Sequence, residues 1–452
     1  MIKLAVDFEN RIGPIKPMHA VGQPPFKGGF LKLDFSPFQY IVDANIPYSR
    51  LHDVAGAFGG YRYVDVPNIF RDFDADENDP ASYDFVFTDV LLKNMNEYGI
   101  KPIYRLGVTI ENQANFKAYR IYPPKDCAKW ARICEHIIRH YNEGWADGFE
   151  YGIEYWEIWN EPDNGEPGRN QMWIGTNEQF YELYDVAAKH LKGCFGDKIK
   201  IGGYGCSGLY GIYYHPEKYG VNVPQREPDE RYVRDTHRLD FFNGFLDYIV
   251  EHKSPLDFFS WHSYANVEKT AVIGGYIERR LEECGFGDVE LHLNEWNAVH
   301  DAEHHGTAYA AAGNAAMMLR IHPTKTYMLC YYDARITPSL YGGFFMPLVG
   351  TPTPTYYAFA AYGKLYALGN EVELTSEGVD DDLTGFYSLA GAGDNGRAVY
   401  LVNFSEESRR ITTNLDDSFK VYLIDKEHNI ELTDLNASDF TLGANQIAYI
   451  AG

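Results

Sequence analysis

Cysteine is scarce in this chain: six residues (Cys127, Cys134, Cys194, Cys206, Cys284 and Cys330) in 452, with no C-x-x-C pair among them. That scatter argues against a disulfide scaffold or a paired-cysteine zinc site, and it fits free or buried thiols in a reducing compartment. Basic residues are also in short supply. Forty Lys and Arg against 64 Asp and Glu leave a net charge of −24. A field of that sign repels nucleic acid and anionic membrane, so neither is expected as a partner. No apolar run reaches the roughly 18 residues that a membrane span needs. At the start, Met1-Ile2-Lys3-Leu4-Ala5-Val6 runs straight into Asp7-Phe8-Glu9, without the long apolar region of a secretory signal, so a cytoplasmic location is expected. Internal repeats and low-complexity tracts are missing as well.

Aromatic residues are plentiful, at 15% of the chain. Their flat apolar faces and polar edges suit sugar rings, although they equally fill cores. With 45% hydrophobic residues over this length, a large barrel and an accessory domain can both be buried.

From residue 17 to 368, short apolar runs alternate with amphipathic helical stretches. The strand-like runs are Pro17–Val21, Ile46–His52, Lys101–Leu106, Tyr155–Trp159, Ile199–Tyr204, Phe258–His262, Val289–Asn294 and Tyr327–Tyr332. Helical periodicity marks Asp84–Tyr98, Cys127–Asn142, Asn177–Leu191, Arg238–His252, His305–Arg320 and Thr355–Leu368, the last with Gly369 as its cap. Eight strand–helix units predict an α/β fold, a (β/α)8 TIM barrel over 17–368. After Gly369 the texture turns to short strands (372–374, 384–389, 398–403, 419–424, 446–450) separated by turn clusters. Residues 369–452 are therefore expected to form a β-sandwich, joined by an N-terminal strand from residues 1–16.

Two segments carry the chemistry. Tyr155-Trp156-Glu157-Ile158-Trp159-Asn160-Glu161-Pro162 reads as the fourth strand, and Pro162, which cannot donate to a ladder, ends it. Glu161 then sits at the C-terminal mouth, where barrel enzymes hold their reacting groups. Leu291-His292-Leu293-Asn294-Glu295-Trp296-Asn297 delivers a second acid in the same way from strand seven. Strands four and seven lie across an eight-stranded barrel, so the two carboxyls can face each other. Glycoside hydrolysis needs such a pair, one acid protonating the leaving oxygen and one attacking the anomeric carbon, about 5–5.5 Å apart when configuration is retained. An aromatic-lined Glu161 is expected to be raised towards neutrality, and a hydrogen-bonded Glu295 to stay ionised.

On these motifs the chain resembles the retaining glycosidases of clan A, and more narrowly glycoside hydrolase family 39, a family of β-xylosidases, α-L-iduronidases and arabinose-releasing enzymes. Trp156 to Pro162 is similar to the family's acid/base segment, and Glu295-Trp296-Asn297 to its nucleophile segment. Ser49-Arg50-Leu51-His52 resembles its strand-two Arg-x-His, and Phe258 to Tyr264 its strand-six segment. The resemblance implies Glu161 as acid/base and Glu295 as nucleophile of a retaining exo-glycosidase acting on a xyloside or arabinoside. By the same likeness and by position, His52, Asn160, His262 and Tyr264 are assigned to substrate binding or to tuning the acids, with Tyr332 and Asp333 at the strand-eight mouth. Tyr264 is placed to hydrogen-bond Glu295. No cofactor or metal is expected, the partner is a glycoside or oligosaccharide, and self-association is left open. The strand-eight segment Cys330-Tyr331-Tyr332-Asp333-Ala334-Arg335 departs from the family pattern, with tyrosines where a tryptophan is expected.

Other readings compete. His300-Asp301-Ala302-Glu303-His304 matches the H-x-x-E-H pattern of a zinc peptidase, which needs both histidines on one helical face. Gly203-Tyr204-Gly205-Cys206-Ser207-Gly208 matches G-x-G-x-x-G, but Leu209-Tyr210-Gly211 after it does not start a helix that could hold a pyrophosphate. A non-catalytic carbohydrate-binding barrel would also display aromatic residues; the intact acids at both strand ends speak against it.

Overall fold

The computed structural model describes the chain except for residues 29–32, 55–63, 111–120, 167–168, 337–338, 348 and 379–384. Eight parallel strands close into a barrel in chain order: Ala20–Gly22, Tyr48–Leu51, Lys101–Leu106, Tyr155–Ile158, Lys200–Cys206, Phe258–Ser263, Glu290–Trp296 and Thr326–Tyr331. Each of the eight runs read from the sequence overlaps one of these strands, with ends displaced by up to three residues. Helices surround them, and several begin at side-chain caps. Asp126 accepts the Lys129 N–H ahead of Cys127–Asn142, and Thr176 forms a capping box with Gln179 ahead of Asn177–Phe195. The last barrel helix runs Pro354–Tyr366, and the chain turns away through Gly369 at φ +86°. Thr384, read as a strand start, lies outside the described residues; the strand there is Phe386–Gly393.

The second unit is one nine-stranded, mostly antiparallel sheet. Its first strand, Ile2–Pro14, pairs antiparallel with Asn370–Glu377 and parallel with Arg409–Thr413. The sheet encloses its own apolar core, where Ile2, Leu4 and Val6 meet Val399, Leu401, Val421 and Ile450.

Alternation along each barrel strand turns every second side chain inward and stacks the interior in layers. At the lower end Ala20, Tyr48, Ile103, Tyr155, Phe258 and Met328 pack as an apolar plug. Beneath it, Glu290 ties three elements together. It accepts from the Tyr155 hydroxyl at 2.8 Å and from Lys200 Nζ at 2.6 Å, and it contacts His292 Nε2 at 3.1 Å. Burial pushes its carboxyl up, but bonds from His292 and Lys200 and their charge outweigh this and hold it down at about 2, against an ordinary 4.5. A depressed carboxyl gives stability that is complete above the unfolded value and lost as pH falls towards the folded one. Glu290→Gln should therefore lower the urea midpoint at pH 6, and its deficit relative to the parent should shrink between pH 5 and 3. A deficit that stays constant over that range would contradict this account.

Candidate active site

One layer above the plug the barrel interior becomes polar. Arg50, Glu157, Ser260 and Asn294 are buried there, on strands two, four, six and seven. Arg50 donates from Nε to Glu157 Oε2 at 2.8 Å, while Ser260 Oγ and Asn294 Nδ2 donate to Glu157 Oε1 at 2.6 and 2.7 Å. Burial raises the Glu157 carboxyl, yet Arg50 and these bonds pull it below its usual range, so it stays charged. Removing Arg50 would strand the Glu157 charge in the barrel, at a cost of roughly 3–5 kcal/mol.

Arg50 also carries the layer upward. Its Nη2 donates to Asn160 Oδ1 at 2.6 Å and its Nη1 to Glu295 Oε2 at 3.1 Å. One guanidinium thus braces the ends of strands four and seven, which its fixed fork of donors suits. Arg50 and Glu157 were absent from the sequence-derived site. The signal for them was there: a charged residue two before His52, and another four before Glu161, both at inward positions.

Strand four leaves the barrel through a sharp turn, with Trp159 at φ +71° and Glu161 at φ +47°. The Glu161 N–H is held by the carbonyls of Tyr204 and Gly205, at 3.2 and 3.0 Å. Gly205 itself sits at φ +65°, and a Cβ there would lie 3.2 Å from Arg50 Nη2, Asn160 Oδ1 and His262 Nε2. Glycine alone lets strand five pass this close beneath the site.

Glu161 and Glu295 meet at the mouth. Glu161 Oε1 is 2.7 Å from His262 Nδ1, and its Oε2 accepts from Asn164 Nδ2 at 2.5 Å. Glu295 Oε1 accepts from the Tyr264 hydroxyl at 2.7 Å, and its Oε2 lies 3.7 Å from His262 Nδ1. One oxygen of each glutamate and a His262 nitrogen fall within 4.8 Å of one another. Burial raises both carboxyls above their ordinary range, offset at Glu161 by Arg238, Arg50 and Asn164, and at Glu295 by His262, Arg50 and Tyr264. Each glutamate also raises the proton affinity of the other, so the pair binds its first proton more readily than either would alone. Burial lowers His262 to about 4 despite the attraction of Glu295, so the imidazole between the acids is neutral at neutral pH.

His52 is buried beside Asp53, its Nε2 3.3 Å from Oδ1 but out of hydrogen-bond alignment, and among the described residues neither ring nitrogen has a hydrogen-bond partner. Among the described residues Asn160 Nδ2 and His262 Nε2 likewise lack a hydrogen-bond partner, which with the two His52 nitrogens makes four polar atoms that a polyhydroxyl ligand could satisfy. Tyr264 stacks on Tyr341 at 4.6 Å and stands edge-on to Tyr332 at 6.3 Å, so aromatic faces wall the mouth. The Tyr332 hydroxyl bonds Asp53 at 3.2 Å and Arg335 Nη2 at 3.1 Å, and Asp333 is held by Arg335 Nε at 2.8 Å. Among the described residues Asp333 makes no bond to either glutamate. Its place is in the Arg335 cluster beside the pair.

The H-x-x-E-H reading does not survive. Ala302–His304 is a single 3-10 turn, Glu303 is exposed, and His300 stands edge-on to Tyr264. A turn that short cannot put both histidines and the glutamate on one helical face. Two groups among the described residues have spacing that could hold a metal: Glu161, His262 and Glu295 in the site, and Glu135, His190 and Cys194 on two outer helices. In the outer group Glu135 is already bonded to Arg139 at 2.8 Å and to His190 at 2.6 Å.

A family model for glycosyl hydrolases family 39 matches residues 58–338. A curated β-xylosidase of Geobacillus stearothermophilus is 23% identical over 366 residues, 69% of this chain and 63% of that protein. Another, of Caldicellulosiruptor saccharolyticus, is 23% identical over 341 residues, 70% of this chain and 63% of the relative. The chain thus spans under two thirds of the length of both. A solved glucosidase from Croceicoccus marinus superposes with a TM-score of 0.76 at 22% identity, covering 100% of this chain and 98% of that one. A family 39 β-xylosidase from Caulobacter crescentus gives 0.67 at 16% identity, with 99% of each covered. At such identities these two structures establish the shared fold.

Proposed function

The chain belongs to glycosyl hydrolases family 39, and from that premise we propose that it cleaves O-glycosidic bonds with retention of configuration, Glu295 attacking and Glu161 passing the proton. The observation that carries this reading is the separation of the two acids, whose oxygens approach within 4.8 Å. That favours direct attack by a carboxylate. An inverting enzyme needs room for a water and holds its carboxyls about 6.5–9.5 Å apart.

The partners divide the roles. Glu295 accepts from a formal cation, Arg50, and from the Tyr264 phenol, both of which support its charged form. Glu161 has an amide and a neutral imidazole, so the first proton bound by the pair goes to Glu161. In the first step Glu295 forms a bond to the anomeric carbon while the glycosidic C–O bond breaks and its oxygen takes the Glu161 proton. In the second, Glu161 takes a proton from water, which displaces Glu295 and frees the sugar. The unpartnered atoms of His52, Asn160 and His262 are the groups expected to bind sugar hydroxyls, with Tyr332 and Tyr264 as the aromatic wall.

For the substrate, the β-xylosidase relatives favour a pentoside, a xyloside or arabinoside, cleaved from its non-reducing end. The test combines a panel of 4-nitrophenyl glycosides with NMR of the first sugar released from the best of them. A pentoside should lead the panel, and the released sugar should carry the anomeric configuration of the substrate. An inverted first product would overturn the mechanism, and a hexoside leading by tenfold would overturn the sugar assignment.

A further inference from the structure

We propose that Asn164 and Arg238 form a positioning relay that fixes which oxygen of Glu161 carries the transferable proton. The proposal rests on the reading of Glu161 as the acid/base. Arg238 belongs to the outer helix Tyr232–His252, yet its side chain is buried and its Nη2 donates to Asn164 Oδ1 at 2.8 Å. The other end of the Asn164 amide, Nδ2, donates to Glu161 Oε2 at 2.5 Å.

A guanidinium has donors and no acceptor, so Asn164 can offer it only an oxygen. The amide is thereby prevented from flipping, and its NH2 must point at Glu161. Oε2 then remains an acceptor whether Glu161 is charged or neutral. When the acid is neutral its proton has one place left, Oε1. That is the oxygen 2.7 Å from His262 Nδ1, on the side where His262 also approaches Glu295. At rest the Oε1–H can donate to the neutral imidazole, and with substrate present it is free to turn to the glycosidic oxygen.

Several charged or titratable groups face Glu161. They are Arg50 from strand two, His262 from strand six, Glu295 from strand seven, Asp163 on its own loop, and Arg238 with Asp235 at 3.8 Å from the outer helix. Asp163 is buried and accepts the Ser207 N–H at 3.1 and 3.2 Å. Arg238 opposes the effect of burial on Glu161, and after burial it is the strongest influence there. Without its charge the acid holds its proton to higher pH.

The experiment is the pH profile of kcat/KM for Arg238→Met, Arg238→Lys and Asn164→Asp, each on an unactivated glycoside and on its 2,4-dinitrophenyl counterpart. Loss of Glu161's proton sets the basic limb. Arg238→Met should move that limb upward by about 1 pH unit, and Arg238→Lys, which keeps a cationic donor, should restore it. Asn164→Asp presents an acceptor to Oε2, so the shared proton leaves Oε1. Its kcat on the unactivated glycoside should fall by about 10-fold or more, and by less on the dinitrophenyl substrate. Profiles of Arg238→Met and Asn164→Asp that superimpose on the parent would overturn the relay. Glu161→Gln separates the two failures: a basic limb that persists in it means that the acid assignment has failed, and the relay with it. A limb lost in Glu161→Gln but unmoved in the other variants condemns the relay alone.

Discussion

Glu295→Ala is expected to lower turnover of every glycoside by about 10^4-fold or more, activated aryl glycosides included. A good leaving group removes the need for protonation, but it does not replace the bond that a nucleophile makes to the anomeric carbon. The loss should therefore be independent of the leaving group. Azide, entering the space vacated by the side chain, should restore activity with 2,4-dinitrophenyl substrate and give a glycosyl azide of inverted configuration, because one displacement now replaces two. The fold should survive the change. Arg50 keeps Glu157 at 2.8 Å after Glu295 is gone, so no buried cation is stranded. A variant with a parental melting temperature and undiminished turnover would sink the assignment of the nucleophile.

The two glutamates were legible in the sequence because strand ends announce themselves. Pro162 marks the exit of strand four just after Glu161, although the strand itself ends at Ile158 and turns at Trp159, and apolar runs lead into both acids. Barrel strands are buried on both faces, so their continuous apolar runs stand out against polar helices and loops. The accessory sheet reads less well. Arg409–Thr413, Asn429–Asn436 and Asp439–Leu442 escape notice because they are short or bury few side chains; Asn429–Asn436 is an edge strand with no fully buried residue. Ile2–Pro14 runs past the charged stretch at Asp7 for the same reason, since most of its second half faces solvent.

The polar framework is hidden for a different reason. Arg238 is 74 residues from Asn164, and Arg50 is 245 from Glu295. No local pattern tells a buried arginine from an exposed one, and only closure of the barrel brings these partners together. Gly205 shows the reverse case. Its glycine-rich stretch looked like a failed nucleotide motif, whereas the glycine is needed because Arg50, Asn160 and His262 crowd the place of its missing side chain. The sequence pattern was real, and its cause was packing under the acid.

Glu161→Ala should behave differently from the nucleophile variant, and the contrast tests the division of roles. On glycosides with poor leaving groups kcat should fall by about 10^2–10^4-fold, the range that a general acid supplies. With 2,4-dinitrophenolate, which departs without a proton, formation of the glycosyl-enzyme should stay fast. Its hydrolysis still needs Glu161 as base, so the intermediate should accumulate, and a burst of phenolate should precede a slow steady state. Azide needs no base and should raise the steady rate, giving a glycosyl azide with the configuration of the substrate, opposite in sense to the Glu295→Ala product. The basic limb of kcat/KM should also vanish, because the group whose ionisation it reports is gone. The neighbours make this a clean deletion: His262, already neutral, loses a contact and no charge pair, and Asn164 keeps Arg238. Equal losses on both leaving groups, with no burst and an unchanged profile, would mean that the proton comes from elsewhere.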